Sequence, residues 1–294
     1  MPGEFDFIQW VRSQQKPSDL ALLPAGDDLA VLKWPAEDLL LVGVDQVLDG
    51  IHFDSAVHSP RAIGRKAMNR NLSDCAAMGC LPAAALVTVA AKKGTSLIYL
   101  QELYTGIREA GEAHGCQIVG GDTGSWEGKL IVTVTILGRS AGVTPVTRKG
   151  AKPGDGIYVT GPLGGSILGR HMTFEPRVEM GHALAMSGVS AMIDLSDGLS
   201  RDLRHICEQS GVGATIHAEK IPVHDDAVEM RRDGRTPLEH ALHDGEDYEL
   251  LFTAPPTHRG MFQIGVVTAT PGIFLQDRDG GVQPLEPKGW EHLL

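Results

Sequence analysis

Apolar residues return along this chain at two spacings, and each predicts a kind of element. After Ser59-Pro60, residues Ile63, Ala67, Asn71, Asp74 and Met78 recur at steps of three and four. That rhythm predicts a helix running toward Pro82, with proline in its first turn and these five side chains on one stripe. The stripe faces inward, so Asn71 and Asp74 are expected on a buried face, where a carboxylate is costly unless it is paired or holds a metal. Leu97, Leu100, Leu103, Ile107 and Ala110 mark a second helix over 96–114, stopped at Gly115. Near-continuous apolar runs predict buried strands at 38–44, delivering Asp45 at the end, at 83–91 and at 191–194. Further strands are expected at 29–34, 117–119, 130–137, 157–160, 214–218, 248–253 and 262–267. Helices are expected from Phe5 to Val11 and at 164–171, 177–187 and 198–209.

Strands and helices are thus mixed throughout, with no repeat at solenoid spacing. Thr144, Pro145, Lys149, Gly150, Lys152 and Pro153 interrupt the pattern between two strands. The expected architecture is α/β (mixed α+β) in two domains, residues 1–143 and 144–294.

Composition narrows the function without choosing it. At 294 residues the chain is long enough for two cores. Its 26 basic and 37 acidic residues give a net charge of −11, which argues against nucleic-acid and anionic-membrane partners. Four cysteines, Cys75, Cys80, Cys116 and Cys207, make neither a CxxC pair nor a zinc spacing. With acids rather than bases near the N-terminus and no long apolar run, the expectation is a cytoplasmic protein.

The acids themselves carry the candidate chemistry. Asp27, Asp28, Asp45, Asp74, Asp122, Asp194 and Asp197 fall where strands end or helices begin, several beside glycine. Such loops are where α/β folds place ligands, although one Gly-Asp pair alone is more often a turn. Carboxylates gathered in one place repel, by roughly 4 kcal/mol per pair at about 4 Å and an effective dielectric near ~20. They either raise their pKa values or recruit cations. Oxygen-only ligands favour Mg²⁺, which keeps waters and substrate phosphates in its shell. The sequence has no Walker motif, no protein-kinase signature, no EF-hand loop and no GxSxG. Residues 161–166, GPLGGS, offer a weak phosphate cradle. The residues alone therefore indicate an acidic, Mg²⁺-dependent site that handles phosphates, with the substrate open.

Several strings taken together resemble a known family. In order they are Gly26-Asp27-Asp28, Asp45 followed by Asp49-Gly50-Ile51-His52-Phe53, Asn71-Leu72-Ser73-Asp74 with Ala76-Ala77-Met78-Gly79, and Gly120-Gly121-Asp122-Thr123. Arg148 with Gly150-Ala151-Lys152-Pro153-Gly154-Asp155 follows, then Ile193-Asp194-Leu195-Ser196-Asp197-Gly198-Leu199 and Gly245-Glu246-Asp247-Tyr248-Glu249-Leu250. The set resembles thiamine-monophosphate kinases, within the superfamily of aminoimidazole ribonucleotide synthetase and selenide, water dikinase. The resemblance implies ATP-dependent phosphorylation of thiamine monophosphate to thiamine diphosphate, with several Mg²⁺ ions. It also implies a homodimer whose N-terminal domains pair into a β-barrel, and an active site in a cleft between domains.

Carried over by position, Asp28, Asp45, Asp74, Asp122, Asp194 and Asp197 are the implied metal ligands. Gly121, Asp122, Arg148 and Ser196 are implied for ATP, and His52, Glu246 and Trp290 for the thiamine phosphate. No general base is implied, because the accepting phosphate oxygen is already largely deprotonated near neutral pH. Each residue also has a plain alternative: His52 a buried histidine, Glu246 a turn acid, Arg148 a neutraliser of a nearby Asp, Trp290 a core cover. The chain departs from the family at Gly43-Val44, where hydroxyls are usual, at His243-Asp244, where small residues are usual, and in a shortened segment between His171 and Pro176. Competing readings are a same-fold enzyme with another substrate, such as an aminoimidazole ribonucleotide synthetase-like enzyme, a Mg²⁺-dependent phosphohydrolase using Asp194 or Asp197 as nucleophile, and a non-enzymatic binder.

Overall fold

The computed structural model describes residues 4–16, 18–23, 30–230, 233–256, 258 and 261–290. The chain divides into two compact units, one comprising Met1–Cys75 and Cys80–Gly142, the other Ala76–Gly79 and Val143–Leu294.

The first unit contains α1 (Glu4–Ser13), β1 (Ala21–Leu23), β2 (Val31–Leu32), β3 (Leu40–Leu48), α2 (Pro60–Met78), β4 (Leu81–Lys92), α3 (Leu97–Ala113), β5 (Gln117–Trp126) and β6 (Ile131–Arg139). Its main sheet runs β3-β6-β4-β5, antiparallel except for the parallel β4–β5 pair. The paired helices meet backbone to backbone. A Cβ on Gly64 of α2 would lie 2.1 Å from the Leu103 carbonyl, and one on Gly106 of α3 would lie 2.0 Å from that of Arg61. Ser96 caps α3 by accepting the Tyr99 N–H.

Two expectations about this unit fail, both at its edge strands β3 and β5. β3 continues through Asp45 to Leu48, so Asp45 lies inside the strand, and β5 carries Asp122 inside a ten-residue strand. The α2 stripe is buried at Ile63, Ala67 and Asn71, but Asp74 and Met78 are exposed. Beneath Asp74 the edge strand offers Gly43, whose hypothetical Cβ would still be 4.0 Å from Asp74 Oδ2. A glycine does not cover the carboxylate. Only Val31–Leu32 forms strand within the expected 29–34, where Leu29 lies outside the described residues.

The second unit contains β7 (Gly156–Val159), α4 (Val178–Met186), β8 (Ala191–Asp194), α5 (Leu199–Ser210), β9 (Gly213–His217), α6 (Asp225–Met230), α7 (Pro237–His243), β10 (Leu250–Ala254), β11 (Phe262–Thr268), β12 (Gly272–Gln276) and β13 (Val282–Pro284). Seven strands pair in the order β13-β12-β9-β11-β7-β10-β8, with β12–β9 the parallel pair. Helix α5 lays Leu199, Leu203 and Ile206 on a core that includes Ile157, Ile193, Ile216 and Leu251. Segment 164–171 is not one helix but two 3₁₀ turns, Ser166–Leu168 and Arg170–Met172. Gly164, Gly165 and Gly169 adopt positive φ there and interrupt helical winding. No helix among the described residues is long and apolar enough to cross a membrane.

Candidate functional site

In the first unit the expected ligands form two groups. Asp45 is gripped by Arg70 of α2, with Nε to Oδ2 at 2.7 Å and Nη2 to Oδ1 at 3.3 Å. Asp74, one turn further along α2, lies above Gly43 on the same edge strand. Asp122 and Gly121 lie on β5, the opposite edge. Asp45 pairs with Val134, Val134 with Val87, and Val87 with Gly121. The two groups therefore share a row of the sheet but stand three strands apart, about 14 Å at the usual spacing. Within this unit Asp45 and Asp122 are not brought together. Asp28 lies outside the described residues.

Gly121 is required where it stands, because a Cβ would sit 1.9 Å from the Val87 carbonyl oxygen. Beside it opens a cavity of about 680 Å³, lined by Leu86, Tyr104, Ile107, Gly120, Gly121 and Asp122 among others. An apolar chamber with one carboxylate and one bare backbone stretch at its wall suits a flat base carrying a charged tail. Tyr104 was not a candidate from sequence; its place in the α3 apolar stripe disguised it as core. His52 is buried, and its Nδ1 accepts the Leu48 N–H at 3.0 Å, which leaves the neutral ring's proton on Nε2. The fully buried Lys66 donates from Nζ to the His52 carbonyl at 2.6 Å.

The second unit is built around the loop following β8. Asp194 ends the strand, buried, in register with Leu250. The Leu195 N–H donates to the Glu249 carbonyl, the Asp247 and Tyr248 N–H groups donate to the Leu195 carbonyl, and the Glu246 N–H donates to the Ser196 carbonyl at 2.8 Å. The Trp290 N–H donates to the Asp197 carbonyl at 3.1 Å. Two glycines allow these approaches: a Cβ on Gly245 would lie 2.6 Å from the Ser196 carbonyl, and one on Gly289 would lie 2.2 Å from that of Asp197. Glu246 and Tyr248 themselves adopt positive φ, 53° and 52°, strain that the pairing with the loop offsets. Asp194, Ser196, Asp197, Glu246 and Trp290, far apart in sequence, thus come together.

Two further residues belong here that sequence reasoning missed. Asp202, in the first turn of α5, is buried, and its Oδ2 accepts the N–H groups of Asp197 at 3.1 Å and Gly198 at 3.0 Å. His205 follows one turn later. Ligand atoms of Asp197, Asp202 and His205 lie within 4.8 Å of one another. Burial pushes the Asp202 carboxyl well above the usual carboxylate range, the charges of Asp194 and Asp197 push it further, and the two N–H groups pull it back. Burial also lowers the His205 imidazole, as does the exposed Arg148 nearby. A buried carboxylate facing like charge, with mainly oxygen donors around it, belongs to a set that fits a hard divalent cation.

Deeper in the unit a second acidic cluster is already satisfied. Asp247 accepts the Gly164 N–H and pairs with Arg170 at 3.1 Å, while Asp244 accepts the Gly165 N–H at 3.0 Å. Those carboxylates occupy the amides of the GPLGGS turn, so it is not a phosphate cradle. Burial raises the Asp247 carboxyl to about 7, against the pull of Arg170 and the Gly164 N–H. The His243-Asp244 departure has a structural use: His243 Nδ1 meets Ser200 Oγ at 2.9 Å, and Asp244 also pairs with Arg235 and His240. Glu249 pairs with Arg177 and accepts the Thr160 hydroxyl.

Residues 26–140 match the family described as AIR synthase related protein, N-terminal domain. The chain is 38% identical to the thiamine-monophosphate kinase of Rhodopirellula baltica over 98% of its own length and 97% of that protein's. Among solved structures it is similar to AaThiL complexed with AMPPCP and TMP, with TM-score 0.80, 31% identity, and coverage of 99% of this chain and 97% of that one. The hydrogenase maturation protein HypE shares the fold, with TM-score 0.78 at 19% identity and coverage of 97% and 98%.

Proposed function

The chain belongs to the thiamine-monophosphate kinase family, and we propose from that membership and from the two acidic regions that it transfers the γ-phosphoryl group of ATP to thiamine monophosphate. The observation that carries the reading is the clamped loop: Asp194 is paired with Leu250, Leu195 and Ser196 are held by the backbone of Glu246–Glu249, and Asp197 is held by the Trp290 N–H. A loop fixed by that many main-chain bonds is preorganised, and most of the catalysis in phosphoryl transfer is positioning and charge stabilisation.

ATP is assigned to Gly121, Asp122, Arg148 and Ser196, with the base in the chamber beside Tyr104. Thiamine phosphate is assigned to His52, Glu246 and Trp290. His52, whose Nδ1 accepts the Leu48 N–H, carries its ring proton on Nε2, and the ring of Trp290, 48% exposed, would stack on the cationic thiazolium. Asp45, Asp74, Asp122, Asp194 and Asp197 would hold Mg²⁺, which supplies cancellation of the repulsion between two phosphorylated reactants. At Asp45 a cation has to share the carboxylate with Arg70. No side chain has to remove a proton, because the accepting oxygen is largely ionised near pH 7; the chain's task is to align acceptor and donor and exclude water. An Asp194 or Asp197 nucleophile is not needed in such a direct transfer.

The reading includes a homodimer in the cytoplasm. The outward face of β3 is apolar, with Leu40 at 51% exposure, Val42 at 64% and Val44 at 63%. Val44 continues across the sheet through Thr135 to Leu86, itself 39% exposed. A band of this kind on a sheet whose edge strands β3 and β5 have no further strand partner among the described residues supports pairing with a second copy into a barrel. Val44→Glu is expected to yield a monomer in sedimentation experiments, and an unchanged dimer would remove that part of the reading.

The deciding assay incubates protein with ATP, Mg²⁺ and thiamine monophosphate. One ADP should form per thiamine diphosphate, and neither without the acceptor. ADP formed alone identifies a hydrolase, and no turnover identifies a binder.

A further inference from the structure

We propose that Asp202 is a positioning residue for the phosphoryl transfer, setting the aim of Asp197 through its backbone; the inference rests on the reading of the 194–198 loop given above. Asp202 carries no assigned role, and its bond to the Asp197 N–H gives it one that helix capping does not explain. The N-cap of α5 is Gly198, which has no side chain to cap with and adopts a φ of 112°. A cap satisfies amides inside the first helical turn. Asp202 reaches back from that turn to the N–H of the N-cap Gly198, as a capping-box side chain does, and one residue further to the N–H of Asp197, outside the helix.

Asp197 is thereby fixed on both sides. Its N–H is held by Asp202 Oδ2 and its carbonyl by the Trp290 N–H, while Gly245 and Gly289 lie against Ser196 and Asp197 with no room for a side chain. With both flanking peptide planes set, its Cα–Cβ bond leaves the loop in one direction, and only its side-chain rotamer remains to be chosen. Among the described residues both side-chain hydrogen bonds of Asp202 go through Oδ2, and the residue is only 1% exposed. Its position on α5 is held by Leu199, Leu203 and Ile206 in the core. The amphipathic helix is thus a rigid arm, and Asp202 connects it to the loop.

The test separates hydrogen-bond acceptance from charge. Asp202→Asn keeps the shape and one acceptor oxygen; Asp202→Ala removes both and leaves two N–H groups facing a buried space. Mn²⁺ binding to the substrate-free dimer or monomer, read by electron paramagnetic resonance, is measured beside turnover at rising Mg²⁺. Asp202→Asn should bind Mn²⁺ within about threefold of wild type, and Asp202→Ala should lose roughly 10–100-fold, the range for groups that orient metal ligands. The turnover lost in Asp202→Ala should return as Mg²⁺ is raised, with the KM for thiamine monophosphate unchanged. Should Asp202→Ala not fold, as judged by thermal unfolding, Asp202→Ser takes its place, with one acceptor and an intermediate loss expected. Wild-type Mn²⁺ affinity in the variant lacking the acceptor would overturn the proposal. So would an equal loss in Asp202→Asn, since that makes the charge itself a metal ligand, within reach given the spacing of Asp197, Asp202 and His205. Failure of the kinase reading has a different signature: normal Mn²⁺ binding by the unaltered protein with no thiamine diphosphate formed.

Discussion

The two acidic regions hold their carboxylates by opposite means. In the first unit Asp45 is answered by a guanidinium, Asp74 stands exposed on helix α2, and Asp122 stands exposed on the edge strand β5. In the second unit the Asp194–Asp197 loop is bound by backbone N–H groups, and Asp202 is buried against like charge. Solvent and Arg70 keep the first region's charge tolerable without a ligand. Amides hold the second region's shape but only partly offset its charge, so that region gains most from a cation. The difference teaches that carboxylates drawn from one family pattern need not be in one electrostatic condition before substrate arrives.

Removing the carboxylates should give the largest effect. Asp74→Asn is expected to lower turnover by two orders of magnitude or more, corresponding to several kcal/mol of lost charge stabilisation. The loss should lessen as Mg²⁺ rises, because the defect is in metal affinity; wild-type turnover at ordinary Mg²⁺ would exclude Asp74 from the site. The next effect is on stability and comes from Asp247. Its folded pKa, near 7, lies above the unfolded value of 3.8, so the folded state binds more protons between the two. Its contribution is therefore fully present below about pH 4 and is lost as pH rises toward 7, on the order of 4 kcal/mol for a shift this large. Urea unfolding from pH 4.5 to 7.5 should show that fall, and Asp247→Asn should flatten it; an equal slope in both proteins would assign the fall elsewhere.

Arg177→Ala should cost about 2 kcal/mol, less than a fully buried pair because the arginine side chain is 38% exposed. Buried Glu249 then keeps the Thr160 hydroxyl but loses its ion-pair partner beside the loop, so denaturant midpoints should shift more than KM values. The smallest effect is expected at Trp290. Trp290→Ala should raise the KM for thiamine monophosphate about 2- to 10-fold, in the range of an exposed cation–π contact, and leave that for ATP alone. Equal kinetics would reject stacking. Because the Trp290 N–H on Asp197 survives the substitution, the test isolates the ring.

Much of the second unit was legible because its burial is monotonous. Residues 191–194 are buried at every position and were expected as a strand with those bounds. The 198–209 helix was equally plain from its apolar spacing, yet that spacing concealed Asp202, a polar residue on the buried side that only the loop's amides explain. Helices α6 and α7 are too short for a period to show, although Thr236-Pro237-Leu238-Glu239 carried a capping box that marks the start of α7. Strands β12 and β13 were missed because one begins at glycine and the other is exposed throughout. In the first unit the order of residues could not show that Asp45 and Asp122 occupy opposite edges of a sheet, since strand order is a long-range property.

The central claim is direct transfer between bound phosphates without a phosphorylated aspartate. ATP made chiral at its γ-phosphorus tests it in a single turnover to thiamine diphosphate. Inversion of configuration is the predicted outcome. Retention would require two displacements through an enzyme nucleophile and would contradict the account.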